Sequence, residues 1–279
     1  MSEYGKGPMK TPNLQSFRKK SYAVWCAIAI ILLLLAGAVL FIWKVSFSMF
    51  RGNPRFTLTE VRISGNRNGF WTDKKEQICS LLRLRPGLSN LFALEPAAMR
   101  AKLLREPSIA DATVTRILPD TLEIGIVERI PIALINSPRS RYVTDASCVL
   151  MQKGRCMDIS YSLPIIIGLR NEQNFVPGMK AGAIKGAVEL IELTRTKWPE
   201  IRVASISVAT PDTLICAVYY KNRIGTDEIY RVVMPDTNIE TSLKRLLQVL
   251  EHILETRNKA RHINLDFKGQ AVLTMPAEG

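Results

Sequence analysis

The hydrophobic pattern changes character twice along the chain. Residues 23–43 form an unbroken apolar run of 21 positions with no charge. At about 1.5 Å per residue a helix over this run spans roughly 31 Å, the hydrocarbon thickness of a bilayer. It is the one run of this kind in 279 residues, and it predicts a single membrane-spanning helix. From Phe56 the pattern becomes short alternating stretches mixed with helical stripes. Phe56, Leu58, Val61 and Ile63 predict a strand with one slip that a β-bulge would absorb, closed by Ser64-Gly65-Asn66, where Gly65 permits a positive φ. Ile78, Leu81 and Leu82 mark a helix capped by Thr72 and broken at Arg85-Pro86-Gly87. Asn90-Leu91-Phe92 reads as an apolar plug, and Leu94, Met99 and Leu103 mark a second helix that stops near Pro107. Residues 109–116 and 122–129 alternate around the turn Leu118-Pro119-Asp120-Thr121, completing the order strand, helix, helix, strand, strand.

The remainder mixes the two periods again. Residues 142–151 read as two strands around a tight turn. Ala187, Leu190, Ile191 and Leu193 repeat at helical spacing up to Trp198-Pro199. Residues 201–208 and 213–220 alternate as an antiparallel pair, and 229–234 is a further strand. Residues 239–257 form an amphipathic helix whose stripe includes Leu243, Leu246, Leu250 and Ile253, and residues 263–274 end the body in a strand. The fold class is therefore α+β.

Charge orients the span. Lys6, Lys10, Arg18, Lys19 and Lys20 precede it against one acid, Glu3, which holds a short head in the cytoplasm. Lys44, Arg51 and Arg55 follow it and oppose that reading, but a long domain translocates largely regardless of charge. Trp25 and Trp43 fall near the two interfaces. A cleaved signal peptide is the rival reading: Ala36-Gly37-Ala38 resembles a cleavage site, yet apolar residues continue to Trp43. Most of the net charge of +13 lies beyond the head, which suits anionic lipid, wall polymer or acidic partners. Nucleic acid does not fit, since the basic residues lack interleaved aromatic platforms.

Catalytic chemistry finds little purchase. The chain has two histidines, His252 in the amphipathic helix and His262 before a strand. Neither comes with a nucleophile or paired acid, and no Gly-x-Ser-x-Gly, phosphate loop or Ser-x-x-Lys pattern occurs. No cysteine–histidine spacing suggests a metal, and no cofactor is implied. Cys79 and Cys216 read as core. Cys148 and Cys156 are eight apart across a hairpin, which leaves a disulfide or two thiols open.

Val61-Arg-Ile-Ser-Gly-Asn66, Asn90-Leu-Phe92, Leu118-Pro-Asp-Thr-Leu122 and Val127-Glu-Arg-Ile-Pro-Ile-Ala133, in that order, resemble the POTRA module of the FtsQ/DivIB bacterial cell-division family. Leu163-Pro-Ile-Ile-Ile-Gly168 and Ile263-Asn-Leu-Asp-Phe267 resemble that family's later motifs, with Cys148 in place of a glycine and Asp266 in place of an arginine. The resemblance implies a cytoplasmic tail (1–22), a transmembrane helix (23–43), a juxtamembrane linker (44–55), a POTRA domain (56–130) and a mixed α/β domain with a largely antiparallel sheet (131–279). It also implies a non-enzymatic, single-pass scaffold of the inner membrane at the septum, its body extracytoplasmic. Its expected partners are FtsB/DivIC and FtsL division proteins, with FtsW- and FtsK-type proteins further possibilities. An anchored POTRA chaperone and a membrane-anchored hydrolase are the alternatives.

The C-terminal strand, Ala271 to Thr274, is expected to lie at a sheet edge and accept a partner strand, and the candidate partner-binding residues are Phe267, Lys268, Gly269, Gln270 and Ala271, on the stretch matching the family's last strands. Phe267 reads equally as contact or as core. Glu128 and Arg129, facing opposite ways on one strand, read either as a solvated pair or as a docking rim.

Overall fold

The computed structural model describes residues 14–275 except 138, 160–161, 171, 222–226 and 268–269. Lys6, Lys10, Lys268 and Gly269 thus lie outside the described residues. Helix α1 (Leu14–Ser46) is continuous over 33 residues. Within the stretch Ile28–Arg51 the most apolar 18-residue window has a mean hydropathy of 2.7 with none of it buried, and this is the one segment among the described residues long and apolar enough to cross a membrane.

Residues 44–55, expected as a linker, are folded. Helix α1 passes through a π-helical turn (Phe47–Arg51) and a 3-10 turn (Pro54–Phe56) into the first module. Aromatic packing holds this junction: the ring centroids of Phe50 and Phe56 lie 5.1 and 4.9 Å from that of Phe92. Asn90 Nδ2 donates to the carbonyls of Phe50 (3.1 Å) and Asn53 (3.2 Å).

The first module contains β1 (Glu60–Gly65), α2 (Lys75–Leu82), α3 (Pro96–Leu103), β2 (Ile109–Ile117) and β3 (Thr121–Glu128). The sheet order is β1-β3-β2, with β1 parallel to β3 and β2 antiparallel to it. Three local expectations are corrected. Strand β1 starts at Glu60, so no bulge is needed between Leu58 and Val61; Leu58 is buried in the segment before it, its N–H donating to Ser89 O. Thr72 does not cap α2, whose N-cap is Lys74; the Thr72 hydroxyl donates instead to Asn66 O. Gly65 is not at positive φ. Its lack of a side chain is spatial, since a Cβ would meet Thr72 Oγ1 at 2.9 Å and Ile126 O at 3.2 Å. Trp71, Ile78, Leu91, Leu122 and Ile124 form the centre of this core.

The second module has one nine-stranded sheet. Its elements are β4 (Ala133–Ile135), β5 (Tyr142–Thr144), β6 (Leu150–Gln152), β7 (Ile165–Ile167), α4 (Lys185–Thr196), β8 (Ile201–Ser207), β9 (Thr213–Lys221), β10 (Asp227–Pro235), α5 (Ile239–Thr256), β11 (His262–Asn264) and β12 (Val272–Thr274). The order is β12-β11-β10-β9-β8-β7-β4-β5-β6. Only β10–β11, β7–β8 and β4–β7 are parallel, so the sheet is mixed and largely antiparallel, as the resemblance implies. Burial alternates along β9: Leu214, Cys216 and Val218 join the core formed with α4 and α5, while Ile215 and Ala217 on the other face are half-exposed. Burial pushes the Cys216 thiol up to about 12.

The hairpin of β5 and β6 turns at Asp145–Cys148, where Cys148 holds the left-handed conformation (φ 60°). Cys148 and Cys156 are both thiols, resolving the disulfide question. Cys148 packs into the main core, and Cys156 into a small cluster with Val143, Val149 and Met151.

Candidate partner-binding edge

The last strand is short and lies at the end of the sheet. Among the described residues, strand β12 pairs only with β11: His262 with Thr274, Ile263 with Leu273 and Asn264 with Val272. Two bonds fix which backbone groups remain open. Arg231 N–H donates to Arg261 O and Leu265 N–H donates to Val233 O, both at 2.8 Å. Residues 261, 263 and 265 therefore direct their backbone toward β10, and His262 and Asn264 toward β12. Their partners Thr274 and Val272 bond inward. The N–H and C=O of Leu273 therefore point away from the sheet, and the same alternation carried one residue past each end of β12 turns Ala271 and Met275 to that side.

The opposite edge is different. Strand β6 is capped by the segment around Met179: Leu150 N–H donates to Met179 O (2.9 Å), Gly178 N–H donates to Leu150 O (2.8 Å), and Val149 bridges to Lys180. Among the described residues the large sheet thus offers one open rim. Apolar side chains flank it: Phe267 is 54% exposed, Val272 45% and Met275 63%. The equal readings of Phe267 resolve against core. Gln270 and Ala271 are exposed in the loop that leads into β12.

That loop is held from below by a residue the sequence reading passed over. Arg245 on α5 donates to the carbonyls of Gln270 (2.7 Å), Phe267 (3.1 Å) and Leu265 (3.4 Å). The signal was its place at the flank of the apolar stripe, beside Leu246, where a long side chain can lie across the sheet end. Charge-assisted bonds of this kind contribute about 1.5–3 kcal/mol each, so Arg245→Met should speed amide exchange across residues 270–273 about tenfold or more. The global unfolding midpoint should move little. Hydrogen exchange read by mass spectrometry checks this.

Glu128 and Arg129 are not a docking rim and not a solvated pair. Glu128 is 3% exposed, and its carboxylate accepts from the N–H groups of Phe70 (2.9 Å) and Trp71 (2.8 Å). Asn66 Oδ1 accepts from its own N–H (3.1 Å). Arg129 faces the other way and donates to Asp145 Oδ2 (2.7 Å), a buried carboxylate in the β5–β6 turn. Asp145 Oδ1 accepts from Ser147 and Val149 N–H. Adjacent residues thus tie one strand end to both modules. Arg155 adds a third tie, its guanidinium 5.4 Å above the Trp71 ring.

Both histidines are exposed, and among the described residues no three histidine, cysteine or acidic side chains converge as metal ligands.

The family described as POTRA domain, FtsQ-type, matches residues 56–129. The cell division protein DivIB of Clostridium acetobutylicum is 24% identical over 227 residues, covering 80% of this chain and 84% of the relative. The cell division protein FtsQ of Anaeromyxobacter sp. is 27% identical over 233 residues, covering 83% and 74%. The FtsQ of Novosphingobium aromaticivorans is 30% identical over 133 residues, covering 44% and 41%.

Proposed function

This chain carries an FtsQ-type POTRA domain and is similar over most of its length to FtsQ and DivIB division proteins; from that premise we propose that it is a bitopic scaffold of the bacterial division machinery. The relatives' names support the division role. The finer reading is that α1 anchors the chain with its head in the cytoplasm and that the body works outside the membrane at the septum. Residues 56–130 and 131–279 act as two recognition units there.

One observation carries the mechanism: the outward backbone groups of Leu273 on the open rim of β12, a side that the alternation extends to Ala271 and Met275. An incoming strand satisfies those groups and covers Val272 and Phe267, gaining hydrogen bonds and apolar burial together. FtsB/DivIC- and FtsL-type proteins are the partners this reading names. Catalysis has no part in it, since recognition needs only backbone and shape.

A fluorescent fusion of the full chain should concentrate at midcell in dividing cells, and its outer body should capture the outer segment of an FtsB/DivIC-type protein. A uniform envelope signal with indiscriminate capture of unfolded chains would instead favour an anchored chaperone.

A further inference from the structure

The basic residues that follow the span sit on the side where positive charge is least expected. One of them, Arg51, meets Arg116 of β2 at an open cavity of about 410 Å³ where α1 enters the first module. Its walls are Trp43, Phe47, Phe50 and Phe92, with the guanidinium-bearing residues Arg51 and Arg116. This is within the size range of small-ligand sites. Its depth is set by helix geometry. Trp43 ends the apolar run, and Phe47 lies about 6 Å beyond it, while the headgroup layer on each side of a bilayer is roughly 5–7 Å thick. The cavity therefore opens at the level of lipid phosphates.

Arg116 is held in place there. It donates to Leu94 O and lies with its guanidinium 5.8 Å from the Phe92 ring centroid. Its Nε is shielded from water and has no acceptor. Buried donors are rarely left so, and each such case asks for an absent partner. Among the described residues neither Arg116 nor Arg51 has a carboxylate partner. A phosphate oxygen supplies the acceptor that Arg116 lacks and a charge that both guanidinium groups complement, while the aromatic walls suit the glycerol and upper acyl region.

We propose that this junction is a binding site for the headgroup of an anionic phospholipid, which fastens the first module to the membrane surface. The proposal rests on the reading of α1 as a span. It also gives a role to positive charges that orientation alone leaves unexplained.

The test uses the full chain purified in detergent with equal phosphatidylglycerol and phosphatidylcholine, with retained lipid counted by native mass spectrometry. Wild type should retain phosphatidylglycerol in preference. Arg51→Gln and Arg116→Gln should each lower that retention about fivefold, the effect of one basic group near an anionic surface. Lys44→Gln, outside the cavity, should not. Arg51 lies in the exposed turn, so its variant keeps the module folded and the result readable. Equal retention of the two lipids, an equal loss with Lys44→Gln, or displacement of the lipid by inorganic phosphate would each overturn the site. Release of the chain from membranes by alkaline carbonate would overturn the span itself, a separate failure.

Discussion

Ala271→Pro is expected to weaken binding of an FtsB/DivIC-type outer segment by tenfold or more while the body stays folded. Ala271 directly precedes β12, and the alternation of Val272 and Leu273 continued by one residue turns its N–H away from β11, so proline removes a donor that only a partner uses. One lost hydrogen bond is worth about 1 kcal/mol, and the ring also blocks the close approach of an incoming backbone. Those two effects together exceed the roughly 1.4 kcal/mol that separates a tenfold change. The internal ladder uses Val272 and Thr274 and is untouched. Ala271→Val retains the N–H and should bind as wild type, which separates a backbone effect from a side-chain one. Calorimetric titration with thermal unfolding of each variant gives the answer. A folded Ala271→Pro chain with undiminished affinity would refute strand addition at this rim.

The parts legible in the sequence are those written in local periodicity. The strand–helix–helix–strand–strand order, the β8–β9 hairpin and the stripe of α5 all follow from spacing between near neighbours. What escaped was set by distant partners. Phe56 looked like the first residue of a strand because it alternates with Leu58, yet Phe50 and Phe92 draw it into the membrane junction. The strand β4 is three residues long and exists because β5 and β7 flank it. Parallel neighbours such as β7 and β8 are joined across a whole helix, and alternation within a strand says nothing about them. The edge was half legible: a final strand was expected, but its open side is fixed by bonds from β10. Arg245 was hidden for the same reason, since its acceptors lie 20 to 25 residues away. Cys148 shows the opposite case. The family has glycine at its place, and the turn holds Cys148 in the left-handed conformation that glycine adopts without strain, so the departure lies in the residue and not in the backbone.

Glu128→Ala is expected to destabilise the body by about 3 kcal/mol, the largest stability effect of any single change considered. A charged residue on an alternating strand is ordinarily exposed, and here the expectation fails because a loop 57 residues earlier closes over it. Gly69 makes that closure possible, since a Cβ there would stand 2.3 Å from Glu128 Oε1. Alanine would leave the Phe70 and Trp71 amides buried without an acceptor, at about 1–3 kcal/mol for each unsatisfied donor. The loop carries Trp71, which is 1% exposed, donates through Nε1 to Ser108 Oγ (2.9 Å) and supports Arg155 from the second module. Loss of the carboxylate should therefore loosen the joint between modules as well as the first core. Glu128→Gln preserves shape and one acceptor, so its loss should be smaller. Urea unfolding of the full chain in detergent, followed by tryptophan emission, measures both. Should Glu128→Ala unfold at the wild-type midpoint and instead lose partner affinity, the docking rim first considered for this residue would have to be restored.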